Sequence, residues 1–333
     1  MIRILTKRIE YIDALKFLAI FAVISIHCFT LADEAEILHF KIINFEHLFR
    51  FAVPLFLMIT GSLLLNKEIE LKKYLNRRLK RICYPLIFFT IVLLVFTTLY
   101  EFVFSFYWYA WMIIGVVLAI PIINKFIQHS SEKEIQYYLV IFIIFSILTQ
   151  IFHTLKVYNA LDISFFYTPI SYLILGYYLF NRKTDYSFKK TITLCVLLFA
   201  ISTLLKIAIG NYYYTHDFDT YLDLSFFQII QASSVFLFIK TIYSENNILY
   251  KILNQNAIKK FILSVSRASY GMFFIQHILI LYYAKLLFMT LSLTGTQTLI
   301  LILILIISVF LISWIIIVIM SKIPILNKIC GYS

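Results

Sequence analysis

Residues 10–31 read EYIDALKFLAIFAVISIHCFTL, an apolar run long enough to cross a bilayer as one helix, with Asp13, Lys16 and His27 inside it. An aspartate or lysine near the centre of a membrane helix costs about 2.5–3.5 kcal/mol on insertion scales, so such groups mark sites by default. At 100° per residue the three fall within about 60° of one helix face, with apolar Ile20 between them. The fold therefore reads as a membrane bundle, and this face as a site with two polar ends.

Working outward, the whole chain carries the same character. Of 333 residues 62% are hydrophobic and 14% charged, and the mean hydropathy is +0.90. A soluble chain of this length cannot hide so much apolar surface. The long Ile/Leu/Phe runs do not alternate every second residue, which excludes a transmembrane β-barrel. The fold class is all-α and polytopic, a single membrane-embedded domain over 1–333 with no soluble domain. The net charge of +12 sits mostly in short connections between apolar runs, which is the pattern of cytoplasmic loops and not of a nucleic-acid surface. Cys28, Cys83, Cys195 and Cys330 are scattered, and they imply neither a disulfide framework nor a metal site. Arg3, Lys7 and Arg8 before the first run imitate a secretory signal, but that run is too long and carries charges, so it reads as a retained span.

Ten spans are predicted, at about 10–31, 45–65, 82–104, 108–127, 136–155, 163–181, 189–209, 224–244, 268–288 and 297–320. With the N-terminus inside, the cytoplasmic segments and adjoining span ends hold 23 lysines and arginines, and the outer connections only Lys41, Lys156 and Lys285. Both termini are thus expected in the cytoplasm of a multi-pass protein of the cell membrane. Two outer loops are acidic, with Asp33, Glu34 and Glu36 in one and Asp217, Asp219 and Asp223 beside several tyrosines in the other. They suit a sugar-binding rim or an ordinary interfacial belt.

Further polar groups interrupt the apolar runs. The second span opens with His47, Arg50 and Pro54 and reaches Gly61, four residues within another wedge of about 60°. Arg50 fits either a snorkelling anchor or a cavity wall. The stretch KKYLNRRLKRICYP (72–85) is strongly basic. It fits anionic lipid at the membrane surface, and its arginine forks also fit the phosphates of a soluble donor. The fourth span opens with Trp108 and Tyr109 and contains Gly115 and Pro121. The ninth holds Tyr270, Gly271, Gln276 and His277, where an intramembrane histidine is either a site or half of an interhelical hydrogen bond. No P-loop, G-x-S-x-G elbow or H-E-x-x-H is present. A single histidine can still supply acid–base chemistry near neutrality.

Five stretches together resemble the acyltransferase-3 family of integral membrane acyltransferases. They are IDALKFLAIFAVISIH (12–27), FRFAVPLFLMITG (49–61), RRLKRICYP (77–85), WYAWMIIGVVLAIP (108–121) and SYGMFFIQH (269–277). The resemblance implies a helical domain of about ten spans that moves an acyl group from cytoplasmic acyl-CoA, acetyl-CoA in the simplest case, to a hydroxyl of an envelope glycan or lipid-linked saccharide. It implies His27 as the base that activates that hydroxyl. Lys16 stands where the family more often has arginine, and would contact the donor with Asp13 as its partner near the inner interface. By the same resemblance Arg50, Arg77, Arg78, Arg81, Trp108, Tyr270 and His277 belong to the donor and acceptor sites. No tightly bound cofactor and no metal are expected, and the chain reads as the standalone type without a hydrolase-like domain. A different class stays open, an exporter of a glycan or lipid-linked sugar whose polar faces line a path. So does a non-glycan acceptor.

Overall fold

The computed structural model describes residues 9–34, 43–96, 107–154, 169–182, 187–215, 225–244, 247–288 and 295–332. Arg3, Lys7 and Arg8, Glu36, Lys41 and Lys156, and the loop residues Asp217, Asp219 and Asp223 lie outside them. Every regular element among the described residues is helical. In hydrocarbon no water completes backbone hydrogen bonds, so helices, which satisfy them internally, are what such a sequence can form.

In chain order the helices are α1 (Glu10–Glu34), α2 (Ile43–Glu46), α3 (Ala52–Leu64), α4 (Leu71–Phe96), α5 (Trp108–His129) and α6 (Glu132–Thr154). Then follow α7 (Pro169–Asn181), α8 (Phe188–Thr215), α9 (Ser225–Ile242), α10 (Ile248–Leu253), α11 (Asn256–Phe288) and α12 (Gly295–Lys322). A 3-10 turn at Leu326–Lys328 leads into the last described residues. Among the described residues five helices are long and apolar enough to span a membrane: α1, α5, α6, α8 and α12. Two more apolar helices, Ala52–Leu64 and Phe226–Ile242, are shorter.

The first of these is the centre of the bundle. Leu15, Ala19, Ile20, Ile24 and Cys28 of α1 are fully buried, and the helix packs on α2, α3, α9, α11 and α12. Around it, α3 and α7 cross at van der Waals distance of their backbones. A Cβ on Gly61 would lie 1.9 Å from the Leu173 carbonyl oxygen, and one on Gly176 would lie 2.1 Å from that of Met58. Ser62 Oγ donates across the same crossing to the Gly176 carbonyl at 2.9 Å. Small residues that let helices approach this closely replace the hydrophobic drive that lipid cannot supply.

Two sequence expectations change here, and a third stretch gains its structure. The run 45–65 is not one helix, because Leu48, Phe49 and Ala52 each bond back three residues and form a tighter turn between α2 and α3. Gly61 serves the crossing with α7 and not a cavity wall, so the face expected from His47 to Gly61 has two tasks. The basic stretch 72–85 is itself helical, because α4 starts at Leu71 and carries the arginines on its first turns.

Candidate functional site

One cavity of about 560 Å³ opens beside α1, a size usual for small-molecule sites. His27 and Lys16 both reach it from α1, separated by about 16 Å of helix. Arg50 lines it from the turn before α3, Pro54 from the start of α3, and Arg78 and Arg81 from α4. Trp108 and Tyr109 come from α5, Gln228 from α9, and Ser266, Ser269 and Tyr270 from α11. Four cationic side chains thus share the wall, and no aspartate or glutamate among the described residues lines it.

The Lys16 end is fixed by α11. Ser266 Oγ donates to Asp13 Oδ1 at 2.6 Å, and Lys259 Nζ pairs with Glu10 Oε1 at 2.6 Å. Tyr270 Oη donates to the Ile82 carbonyl at 3.2 Å, which joins α11 to α4 just beyond the arginines. Partial burial pulls the Arg78 guanidinium below its ordinary range; Tyr74 opposes this and Arg77 adds to it. A site that holds cations close together against their repulsion favours an anionic ligand.

The last residues close on the same end. Gly331, at φ +76°, lies against Gly271, whose own Cβ would sit 2.1 Å from the Cys330 carbonyl oxygen. Two glycines are needed for this contact, one for its backbone angle and one for its lack of a side chain. It brings the tail next to Tyr270.

At the other end, Glu46 gathers the turn before α3. Arg50 Nη2 and Nε donate to Glu46 Oε1 at 2.5 and 3.2 Å, and Thr30 Oγ1 donates to Glu46 Oε2 at 3.3 Å. Arg50 is therefore held by a carboxylate at the cavity edge rather than only anchored at a surface. His27 is half-buried, and its ring lies 4.6 Å, centroid to centroid, from that of His277 on α11. His277 Nδ1 donates to the Phe273 carbonyl at 3.0 Å. A carbonyl only accepts, so Nδ1 carries the hydrogen. Tyr107 and Phe273 meet the same ring edge-on, at 5.7 and 5.5 Å.

Of the residues proposed from sequence, the fold brings Lys16, His27, Arg50, Arg78, Arg81, Trp108 and Tyr270 to one cavity. It places Asp13, Arg77 and His277 off its wall: Asp13 under Ser266, Arg77 exposed on the outer face of α4, and His277 behind His27. Sequence reading missed Gln228, Ser266 and Ser269, polar groups too common to single out. It also missed Lys206, wholly buried in α8, which donates to Gln231 Oε1 at 3.3 Å. Gln231 Nε2 in turn donates to Thr203 Oγ1 and to the His47 carbonyl. A lysine inside an apolar run was the available signal. Among the described residues no group of three or more His, Cys, Asp or Glu side chains could hold a metal ion.

An apolar helical bundle built round a cavity lined in part by cationic and hydroxyl side chains is the form of a membrane protein with a site inside it. A family model described as an acyltransferase domain matches residues 9–318. The chain belongs to the acyltransferase-3 family, and it is a membrane acyltransferase in general class. No curated protein and no solved structure matches it at significance.

Proposed function

We propose that this protein is a membrane O-acyltransferase that moves an acyl group, acetyl in the simplest case, from cytoplasmic acyl-CoA to a hydroxyl of an envelope glycan or lipid-linked saccharide. In this reading it lies in the cell membrane with ten spans and both termini cytoplasmic. The observation that supports it most is the shared cavity, whose wall brings His27 together with Lys16, Arg50, Arg78 and Arg81.

Arginine forks suit phosphates, and Lys16 adds a point charge. Arg78, Arg81 and Lys16 hold the anionic donor, so that its thioester extends towards His27. His27 takes the proton of the acceptor hydroxyl as that oxygen attacks the thioester carbonyl. The carbon–sulfur bond then breaks, CoA leaves as a thiolate and takes up a proton, and the acyl ester stays on the acceptor. Trp108, at the cavity edge and half exposed, offers an aromatic face to the sugar, and Arg50 orients the acceptor. Family membership favours this enzyme over an exporter.

The test uses purified protein, radiolabelled acetyl-CoA and envelope glycan stripped of its esters by mild base. Wild type should form a base-labile labelled ester. His27→Ala should lower the rate at least 100-fold, on the order of a general base's contribution, while inserting normally. Full activity in that variant would sink the assignment.

A further inference from the structure

The back of His27 rests on two consecutive residues of α11. The His277 ring lies 4.6 Å away, and the Gln276 side chain sits within hydrogen-bonding reach of the imidazole. Gln276 is completely buried. Its Nε2 and Oε1 form no hydrogen bond of good geometry, and neither does the buried Nδ1 of His27. Three buried polar atoms without partners thus stand in two touching side chains. Each such atom costs about 1–3 kcal/mol, and folded proteins keep few of them. The two groups are complementary, because an imidazole N–H is a donor and an amide oxygen is an acceptor. His277 is occupied differently, with its Nδ1 hydrogen on the Phe273 carbonyl. Nδ1 is the shut-off nitrogen of His27, while the ring still reaches the cavity wall.

We propose that Gln276 is the positioning residue for His27: its amide oxygen accepts the Nδ1 hydrogen, fixing the tautomer in which the lone pair of Nε2 meets the substrate hydroxyl. A second-row partner that fixes a histidine tautomer is a general device. The role rests on the proposed function, in which His27 is the base. Other charged or titratable groups around the ring are His277 on α11, Arg50 with its Glu46 partner, and Tyr109 across the cavity.

Two readouts test it on the full-length protein in detergent. The first is acetyl transfer to the de-esterified glycan, with kcat, KM for acetyl-CoA and the pH profile. The second is the rate at which diethyl pyrocarbonate, which reacts with neutral imidazole, modifies His27 as a function of pH, followed by peptide mass spectrometry. Gln276→Leu should lower kcat about 100-fold, of the order of misplacing a general base, with KM for acetyl-CoA within about two-fold of wild type. Gln276→Glu keeps the acceptor oxygen and adds a charge that favours protonated imidazole. It should recover most of the activity at high pH and move both the acid limb and the modification midpoint upward by about one pH unit. If Gln276→Leu fails to fold, the isosteric Gln276→Glu decides alone. Gln276→Leu with wild-type kcat, or Gln276→Glu with an unmoved midpoint, overturns the proposal. Should His27→Ala prove active, the base reading falls, and the modification midpoint still judges the contact.

Discussion

Ser266 on α11 and Lys16 on α1 share the cavity wall and carry two kinds of consequence. Ser266 Oγ both lines the cavity and donates to the buried Asp13 carboxylate. Hydrogen bonds to a charged group contribute about 1.5–3 kcal/mol, so Ser266→Ala should lower thermal stability in detergent by that order while His27 stays chemically competent. Lys16 is a point charge on the wall. Lys16→Ala should raise KM for acetyl-CoA about ten-fold, of the order of one lost charge-assisted contact, with a smaller effect on kcat, and Lys16→Arg should restore it. At this scale a charge inside an apolar run stands out, which drew attention to Lys16 and Arg50 on the cavity wall, although the same signal at Lys206 was passed over. The sequence was a poor guide for Gln228 and Ser269, and it named Gln276 without a task, since amides and hydroxyls are tolerated in helices and only the third dimension shows which of them meet. Asp13 is the instructive middle case. Its helical register pointed to the site face, yet its carboxylate is buried under α11 and does not reach the cavity.

Among the elements, α3 and α7 carry the tightest constraint. Their crossing leaves no room for a methyl group at Gly61 or Gly176, where the blocking atoms are backbone and cannot swing aside. Overpacking of a close interface costs about 1–3 kcal/mol or more. Gly61→Ala and Gly176→Ala should therefore each reduce folded yield and melting temperature, by fluorescence-detected size exclusion, more than Gly115→Ala, where a Cβ meets nothing within 4 Å. The same crossing was illegible in the sequence, where Gly61 fits a cavity-lining face equally well. Periodicity gives a helix's face but not the neighbour that occupies it. The short length of α3 was hidden for a related reason, because the turn at 47–51 carries no Gly or Pro to mark a break, and Leu48, Phe49 and Phe51 join it to the apolar run that follows.

For the whole molecule, hydropathy gave the helical class directly, since an apolar chain in lipid has few ways to satisfy its backbone. The proposed topology makes its own prediction. On a cysteine-free background, Lys133→Cys should react with an impermeant maleimide only in opened cells, and Phe45→Cys in intact ones; both side chains are exposed. The reverse pattern would invert the protein in the membrane. The cavity wall, with Lys16, Arg50, Arg78 and Arg81 and no described carboxylate, has a further kinetic meaning. On the proposed reaction, the charge that recruits the donor resides in its nucleotide phosphates, and those survive the transfer unchanged. Free CoA therefore leaves against the same attraction that drew acetyl-CoA in. The enzyme should be inhibited by its own product, competitively with the donor, and added salt should relieve that inhibition while weakening donor capture. Turnover in a cell would then follow the ratio of acetylated to free CoA more closely than the concentration of either.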